Sequence, residues 1–334
     1  MTKNINTAFS IFMKDFVNLE SDRVKKGRSS RDWLIEQIES IADENDDFPS
    51  LYKDKNIFFG SFARNTKIRP LDDIDIMICL SANGTTYSEN TSNIELNTKN
   101  SDKVLKDLCH DNSENLNSTK VINKFKSYLK EIPQYSKAEI HKNHEALTLK
   151  LSSYEWNFDI VPCFFTTEDS YGKTYYIIPD GKGDWKKTDP RIDKENLTNL
   201  NQELDGNLLN VIRLIKYWNK KKQIGINSSY LLETMIINFY NGKFEKSCSK
   251  YLDIEFVEVL KALKNSIYNS VEDLKGIQGD LNYLDYWERV SISLKIEDFY
   301  NKSVEAREFE KNEEIEKCFS KWSEILGEDF PKYE

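Results

Sequence analysis

Histidine and closely spaced cysteines are scarce in this sequence, and their scarcity argues against several classes of protein. The 334 residues include three histidines and five cysteines, and no two cysteines have the spacing Cys-x-x-Cys. A zinc ribbon, a disulfide framework and a histidine-based metal site or triad need more such residues at closer spacing. An odd number of scattered thiols is typical of a reducing compartment, so we expect a cytoplasmic protein.

A long apolar run and an excess of positive charge are also missing. No stretch approaches the roughly 20 apolar residues of a membrane-spanning helix, and the first residues lack the pattern of a signal peptide. The net charge is −9, whereas proteins that grip long nucleic acids usually carry a basic excess. We therefore expect neither a membrane nor a long nucleic acid as a partner. Mononucleotides are compatible with this charge, because they need only a local basic patch.

The most informative segment that is present lies at residues 57–80. A short apolar strand leads into Gly60 and Ser61, and a second strand begins with Asp73 and Asp75, separated by one isoleucine. Successive strand residues point to opposite faces, so the two carboxylates project together on one side. Such a pair repels itself unless a cation lies between, and Mg²⁺ binds to a few carboxylates together with substrate phosphates. The glycine lets backbone amides approach a phosphate, so the segment predicts a metal-dependent nucleotidyltransferase.

Each part of this motif also has a plainer interpretation. A single Gly-Ser pair carries little information, and a single Asp-x-Asp is more often a surface turn or a strand end. The residues after Asp75 read Ile-Met-Ile-Cys-Leu. A solvated turn would not continue with so apolar a sequence, which favours a strand of the core.

A third carboxylate, Asp159, lies in the apolar strand that the pattern predicts at residues 156–161. A carboxylate in such a strand is costly to bury unless it is paired or coordinated. Asp159 is therefore the expected third ligand beside Asp73 and Asp75. The alternative is a strand-edge side chain that points to water.

The hydrophobic pattern predicts two domains. At residues 1–200 the pattern predicts a mixed α/β catalytic lobe with N-terminal helices. Within this lobe it predicts a polar surface insertion, mobile in part, at about residues 81–118. Residues 201–334 carry apolar stripes at helical spacing and predict a helical lobe. Basic residues at 23–31 predict a solvated turn, and Ser29-Ser30 offers a cap for the helix that follows.

Two predicted helices of the helical lobe carry groups that suit an anion. Arg213, Lys216 and Lys220 are three and four residues apart and so form one basic face of a helix. The next helix opens at Ser228-Ser229, where hydroxyls, free amides and the helix dipole favour negative charge. The alternative is an ordinary N-cap beside a solvated lysine face.

Taken together, these segments resemble the polymerase-β-type nucleotidyltransferase superfamily. Within it, the chain is most similar to the bacterial CD-NTases, relatives of cyclic GMP-AMP synthase and oligoadenylate synthase that act in anti-phage defence. The resemblance covers roughly residues 25–295. The segments that carry it are residues 60–66 with 73–75, 157–162, 176–190, 211–218 and 229–233.

The resemblance implies an α+β fold, with a mixed sheet flanked by helices, a C-terminal helical lobe and an active site in the cleft between the lobes. It also implies two Mg²⁺ ions, for which Mn²⁺ can substitute, held by Asp73, Asp75 and Asp159 as the catalytic residues. Asp159 would in addition accept the proton of the attacking hydroxyl.

The resemblance further implies how the nucleotide is bound. Gly60 and Ser61 would bind the donor triphosphate, and Lys216 and Ser229 would complete the phosphate grip. Tyr230 would stack on a nucleobase. No zinc-ribbon insertion like that of the metazoan synthase is present in the sequence.

The activity implied is the Mg²⁺-dependent synthesis of a cyclic di- or trinucleotide second messenger from nucleoside triphosphates, with release of pyrophosphate. A downstream effector would read the product, and the enzyme would be a monomer with an unknown regulatory partner. One alternative is a template-independent RNA or protein nucleotidylyltransferase, such as a tailing enzyme or an AMP-adding toxin–antitoxin component. Another is a nucleotide-sensing or scaffold module on an inactive transferase fold. The sequence leaves the bases, ring size and linkage open.

Overall fold

A computed structural model describes residues 3–90 and 93–334. The chain forms two compact units, each assembled from separate stretches. The sheet unit contains Ser21–Ala63 and Pro70–Arg191. The helical unit contains the residues up to Glu20, the short stretch Arg64–Arg69, and Ile192–Glu334. The chain therefore passes from one unit to the other four times.

Within the described residues the sheet unit contains one mixed sheet of nine strands. The strands are β1 (Ile57–Phe59), β2 (Asp73–Cys79), β3 (Thr86–Glu89), β4 (Ile94–Asn97), β5 (Glu139–Asn143), β6 (Ala146–Lys150), β7 (Asn157–Phe165), β8 (Tyr176–Pro179) and β9 (Trp185–Thr188). The sheet order is β1-β2-β7-β8-β9-β4-β3, and β5 pairs with β6, which pairs with β7. Only the β2–β7 pair is parallel among these pairings.

The helices alternate with these strands at first and then follow them. They are α1 (Ile5–Phe12), α2 (Ser21–Glu44), α3 (Gly60–Ala63), α4 (Lys103–Lys106), α5 (Ser118–Leu129), α6 (Pro190–Glu203), α7 (Leu208–Lys221), α8 (Ser229–Asn241), α9 (Leu252–Ser266), α10 (Tyr286–Lys311) and α11 (Ile315–Leu326). A π-helical segment, Met13–Val17, extends α1, and 3₁₀ turns lie at Lys53–Lys55 and Pro133–Tyr135. In the part of the chain that the structure describes, none of the helices is long and apolar enough to cross a bilayer.

Strands β2 and β7 form the centre of the sheet. Both read as nearly continuous apolar runs after their first three residues, which is typical of strands that are covered on both faces. On one face Met77 and Cys79 pack against Val161 and Cys163. The residues on the other face of β2, Ile74 among them, are also buried. The last two residues of β7 turn away from β2 and pair with β8.

The basic stretch at residues 23–31 lies inside α2, so the predicted turn and the predicted cap at Ser29-Ser30 are wrong. Gly27 and Ser30 form the buried side of this part of the helix. A β-carbon on Gly27 would lie 2.9 Å from Leu71, so the helix packs closely at this point. Small residues three apart thus form the packed face of this part of α2. Because they are not large and apolar, the sequence shows no helical periodicity there.

The segment at residues 81–118 contributes to the fold. It contains β3, β4 and α4, and the side chains of Ile94, Leu96 and Leu105 are buried. Strand β4 joins the sheet through β9, where Ile94 is the partner of Trp185. These residues therefore extend the sheet edge, which differs from the polar surface insertion that the composition suggested.

The helical unit has a core that joins the beginning of the chain to its end. Phe9 of α1 packs edge-on against Trp322 of α11, with ring centroids 4.9 Å apart, and against Phe330, at 5.1 Å. Helices α7, α8 and α9 supply most of the remaining buried apolar residues. The apolar stripes predicted on these helices are confirmed.

Candidate active site

The three predicted metal ligands lie on neighbouring strands of the sheet unit. Asp73 and Asp75 begin β2, and Asp159 is the third residue of β7. In the parallel β2–β7 pair, Asp75 is directly opposite Asp159, and Asp73 is opposite Asn157. Paired residues of adjacent strands point to the same face, about 4.8 Å apart along the hydrogen-bonding direction. The backbone therefore brings all three carboxylates to one face of the sheet.

Gly60 and Ser61 lie beside this acidic face. They follow β1, whose last residue, Phe59, is opposite Asp75. Gly60 has a φ of +71°, and a β-carbon on it would lie 1.8 Å from Oδ2 of Asp75. Because both the positive φ and this contact require glycine, the residue allows the Gly-Ser turn to lie directly against the carboxylate.

Thr148 was not identified from the sequence, and it contacts the acidic face. It lies on β6 opposite Asp159, and its hydroxyl donates a hydrogen bond of 2.6 Å to Oδ1 of Asp159. Thr148 is buried. In the sequence, Thr148 lies between Leu147 and Leu149 in a predicted strand, and this polar residue in an apolar strand could have indicated a functional contact.

The chemistry of this donor set fits a hard cation, since carboxylate oxygens are the ligands that Mg²⁺ prefers. Across residues 3–90 and 93–334, however, no three His, Cys, Asp or Glu side chains already converge in an arrangement that could hold a metal ion. One oxygen of Asp159 is bonded to Thr148 instead. The strand register thus places the three carboxylates on one face of the sheet, but their side chains do not form a three-ligand group within the described residues.

The residues predicted to bind phosphate and base, Lys216, Ser229 and Tyr230, belong to the helical unit. Lys216 lies on α7. Its ammonium group donates to Oε1 of Glu233 on α8 at 2.6 Å, and both side chains are buried. Arg64 donates to Oε2 of Glu233 at 3.0 Å, and the hydroxyl of Thr66 donates to Oε1 at 3.0 Å. Lys216 is therefore not part of a solvated lysine face.

This cluster of Arg64, Thr66, Lys216 and Glu233 has two cations and one anion. Burial would raise the pKa of Glu233, but Arg64 and Lys216 hold it below its usual value. Burial lowers the pKa of Lys216, and the Glu233 carboxylate opposes this effect without reversing it. With one carboxylate for two cations, the cluster has a net positive charge, which favours binding of an anion such as a phosphate. Glu233 had no role in the sequence interpretation, although it interrupts an otherwise apolar helix.

Ser229 and Tyr230 form the first turn of α8, as predicted. Ser228 is the N-cap, and its side chain accepts a hydrogen bond from the amide of Leu231 at 3.2 Å. Ser229 is exposed. The helix start that was expected to suit an anion is therefore present.

The hydroxyl of Tyr230 is held by three residues that the sequence did not single out. It lies 2.6 Å from Oδ1 of Asp193 and 2.7 Å from Oδ1 of Asp273, and Lys275 donates to it at 2.6 Å. Burial and the two carboxylates raise the pKa of Tyr230 well above its ordinary value. The hydroxyl is thus neutral and fixed, and the ring of Tyr230 is only partly buried.

No protein-family model matches the chain. A protein of Bacillus cereus (strain VD146), named a probable cyclic nucleotide synthase, is 47% identical to it over 335 residues, which covers 100% of both chains. The chain belongs to the cyclic nucleotide synthase family. A more distant relative, the cyclic AMP-AMP-AMP synthase of Acinetobacter, is 24% identical over 204 residues, or 57% of this chain and 54% of that protein.

Two solved structures of Escherichia coli proteins have the same fold. The Escherichia coli CdnC protein, in its complex with HORMA-deltaN, superposes with a TM-score of 0.70 at 15% identity, covering 98% of each chain. The Escherichia coli DncV protein, in its 3′-deoxy GTP-bound form, also has a TM-score of 0.70 at 15% identity, covering 98% of this chain and 97% of that one. The predicted polymerase-β-type fold, the CD-NTase family and the enzyme class are confirmed.

Proposed function

We propose that this member of the cyclic nucleotide synthase family joins nucleoside triphosphates into a cyclic di- or trinucleotide second messenger and releases pyrophosphate. The observation that carries the proposal is the register of Asp75 with Asp159 on adjacent parallel strands, with Asp73 on the same face and Gly60 in contact with Asp75. That is the residue set a nucleotidyl transfer needs, in a chain 47% identical to a probable cyclic nucleotide synthase over its full length.

In this proposal Asp73, Asp75 and Asp159 hold Mg²⁺. When bound, Mg²⁺ supplies positive charge that acidifies a ribose hydroxyl and neutralises the pyrophosphate leaving group. The amides of the Gly60-Ser61 turn bind the donor phosphates, and Asp159 accepts the proton of the attacking hydroxyl. The same residues act again in each later transfer, including the one that closes the linear intermediate into a ring.

The helical unit supplies the remaining groups of the proposal. Lys216 and Ser229 bind phosphate oxygens, and the ring of Tyr230 stacks on a base. The cluster around Glu233 supports the first role because it keeps a net positive charge in a buried position, where attraction to a phosphate is weakly screened. The acidic overall charge of −9 favours mononucleotides over a polynucleotide acceptor.

The experiment that tests the activity is mass spectrometry of the products after the purified protein is incubated with the four ribonucleoside triphosphates and Mg²⁺ or Mn²⁺. We expect a product that resists phosphatase and has the mass of a cyclic oligonucleotide, and none in EDTA. Asp73→Asn and Asp75→Asn should each lower its rate by about a hundredfold or more. Asp111→Asn is a matched control, since Asp111 is an exposed residue paired with Lys120. Labelled nucleotide found in RNA or protein, and not in small products, would contradict the proposal.

We further propose that the product signals phage infection in the cytoplasm through an effector that binds it. A host that expresses the protein with its effector should form fewer phage plaques than a host with the Asp73→Asn, Asp75→Asn double variant. Nucleotide extracts of infected cells should contain the cyclic product only with the unsubstituted protein. Equal plaque numbers together with product in both infected and uninfected cells would contradict the role in defence and leave the activity intact.

A further inference from the structure

The loop at residues 271–281, called here the Asp273 loop, is closed by its own backbone. The amide of Leu281 donates to the carbonyl of Val271 at 2.8 Å, and the amide of Asp273 donates to the carbonyl of Gly279 at 2.9 Å. These two bonds hold the two sides of the loop together at its base.

The carboxylate of Asp273 connects this loop to Tyr230. Its Oδ2 atom accepts hydrogen bonds from the amides of Ile277 and Gln278, at 3.1 and 2.9 Å. Its Oδ1 atom bonds to the Tyr230 hydroxyl at 2.7 Å and accepts from the ammonium of Lys275 at 2.9 Å. The side chain of Asp273 thus connects the backbone of the loop to the hydroxyl of Tyr230 by hydrogen bonds.

The cluster formed by Asp193, Tyr230, Asp273 and Lys275 is unusual because its three charged side chains are buried. The side chains of Asp193, Asp273 and Lys275 are 8%, 0% and 3% exposed. Burying two carboxylates and an ammonium group is a poor source of stability, and apolar residues of similar volume are often at least as stabilising. What the cluster does provide is a single orientation, because every member has a directional partner.

A fixed orientation matters for an aromatic ring that stacks on a base. A preorganised ring loses less conformational freedom when a ligand binds, and each base stacked on an aromatic side chain adds to affinity. The ammonium of Lys275 lies 4.1 Å from the centroid of the Tyr230 ring, and the guanidinium of Arg64 lies 5.7 Å from it. The ring thus lies close to a cation of the cluster around Asp273 and to a cation of the cluster around Glu233.

We propose that Asp273 and Lys275, with Asp193, are positioning residues that hold the ring of Tyr230 as a platform for the base of the bound nucleotide. This inference rests on the proposed function, because it assigns Tyr230 a nucleotide. It adds three residues far from Tyr230 in sequence to those that determine nucleotide affinity.

The test measures binding of α,β-methylene-ATP by calorimetry, since this analogue cannot undergo nucleotidyl transfer. Tyr230→Phe keeps the ring and removes its hydroxyl, and Asp273→Asn weakens the link to the loop. Each should raise Kd about five- to tenfold, the effect of one lost hydrogen bond of this kind. Tyr230→Ala removes the platform and should weaken binding at least tenfold. Tyr217→Phe is the control: it also removes a tyrosine hydroxyl bonded to a carboxylate, that of Asp329 at 3.1 Å, and should leave Kd within about twofold.

Steady-state kinetics with ATP distinguish a positioning role from a merely structural one, because only a positioning role should change KM without changing kcat. The Tyr230→Phe and Asp273→Asn variants should raise KM about five- to tenfold while kcat stays within about twofold, the pattern of a lost uniform binding interaction. If Asp273→Asn lowers the yield of folded protein, Tyr230→Phe still decides the question because it leaves every charge in place.

The outcomes separate the inference from the function on which it rests. Wild-type affinity in Tyr230→Phe and Asp273→Asn, with weak binding in Tyr230→Ala, would overturn the positioning role and leave the proposed function standing. Wild-type affinity in Tyr230→Ala would overturn the platform itself. If the unsubstituted protein binds no analogue in the presence of Mg²⁺, the proposed function and the inference both fail.

Discussion

The Oδ2 atom of Asp75 lies where a side chain on Gly60 would begin, 1.8 Å from the position of its β-carbon. The Gly-Ser turn therefore packs directly against the first acidic strand, and no space is left for a side chain at position 60. Any other residue at position 60 must displace the carboxylate or move the turn. This contact connects the two halves of the sequence motif more directly than their separation of 15 residues suggests.

Replacing Gly60 by alanine should abolish product formation by displacing Asp75. Gly172 is a matched control, because its φ of +72° equals that of Gly60 within a degree while its surroundings are open. Gly172→Ala should cost about 1 kcal/mol of stability through backbone strain, and Gly60→Ala should cost more because its β-carbon also meets Asp75, both measured by urea unfolding. Only Gly60→Ala should lose activity, and equal activity in the two variants would show that the contact has no catalytic consequence.

The hydrogen bond from Thr148 to Asp159 should matter for catalysis more than for stability. Thr148→Val keeps the shape of the side chain and removes the donor, so unfolding should become easier by about 1 kcal/mol. If the bond orients Asp159, kcat should fall about tenfold while KM changes little. Thr148→Ser, which restores the hydroxyl, should recover most of kcat, and a Thr148→Val enzyme as fast as the parent would refute the orienting role.

The charge of Glu233 should be needed because its carboxylate is the partner of both Lys216 and Arg64. Glu233→Gln leaves Lys216 and Arg64 in excess and should lower the free energy of unfolding by about 3 kcal/mol, as expected when a buried ion pair loses one partner. Combining it with Lys216→Met should recover part of this stability but no activity. Glu139→Gln, in an exposed pair with Lys150, should change stability by less than about 0.5 kcal/mol.

Stability should depend on pH through Asp273. The hydrogen bonds from Tyr230 and Lys275 outweigh burial and lower the pKa of Asp273 from 3.8 to about 2. A depressed carboxyl pKa stabilises the fold above the ordinary value and loses this effect as pH falls from about 4 to 2, a contribution of about 2 kcal/mol. Asp273→Asn should therefore be less stable than the parent at pH 6, and the difference should shrink toward pH 2. A difference that stays constant over this range would contradict the shift.

The acidic strands could be predicted because the pattern that identifies them lies within a few neighbouring residues. Alternation over a few residues placed Asp73 and Asp75 on one face, and the apolar neighbours of Asp159 identified its strand. The structure confirms these strands and the start of α8 at Ser229. The three-ligand metal site and the nucleotide contacts remain predictions.

What could not be predicted depends on partners that are distant in sequence. Glu233 meets Arg64 across 169 residues, and Tyr230 meets Lys275 across 45. No local pattern encodes such pairings, because they arise only when elements pack. The prediction of a turn at residues 23–31 was wrong for another reason: small residues, Gly27 and Ser30, form the packed face of α2 there, and a helical pattern of large apolar residues is absent.

The aromatic contacts between α1 and the end of the chain have a consequence for how this protein is made. Phe9 is synthesised long before its partners Trp322 and Phe330. The sheet unit ends at Arg191 and has all its residues well before those partners are made. Folding on the ribosome should thus begin with the sheet unit, and α1 should complete its packing only after Trp322 and Phe330 have been made.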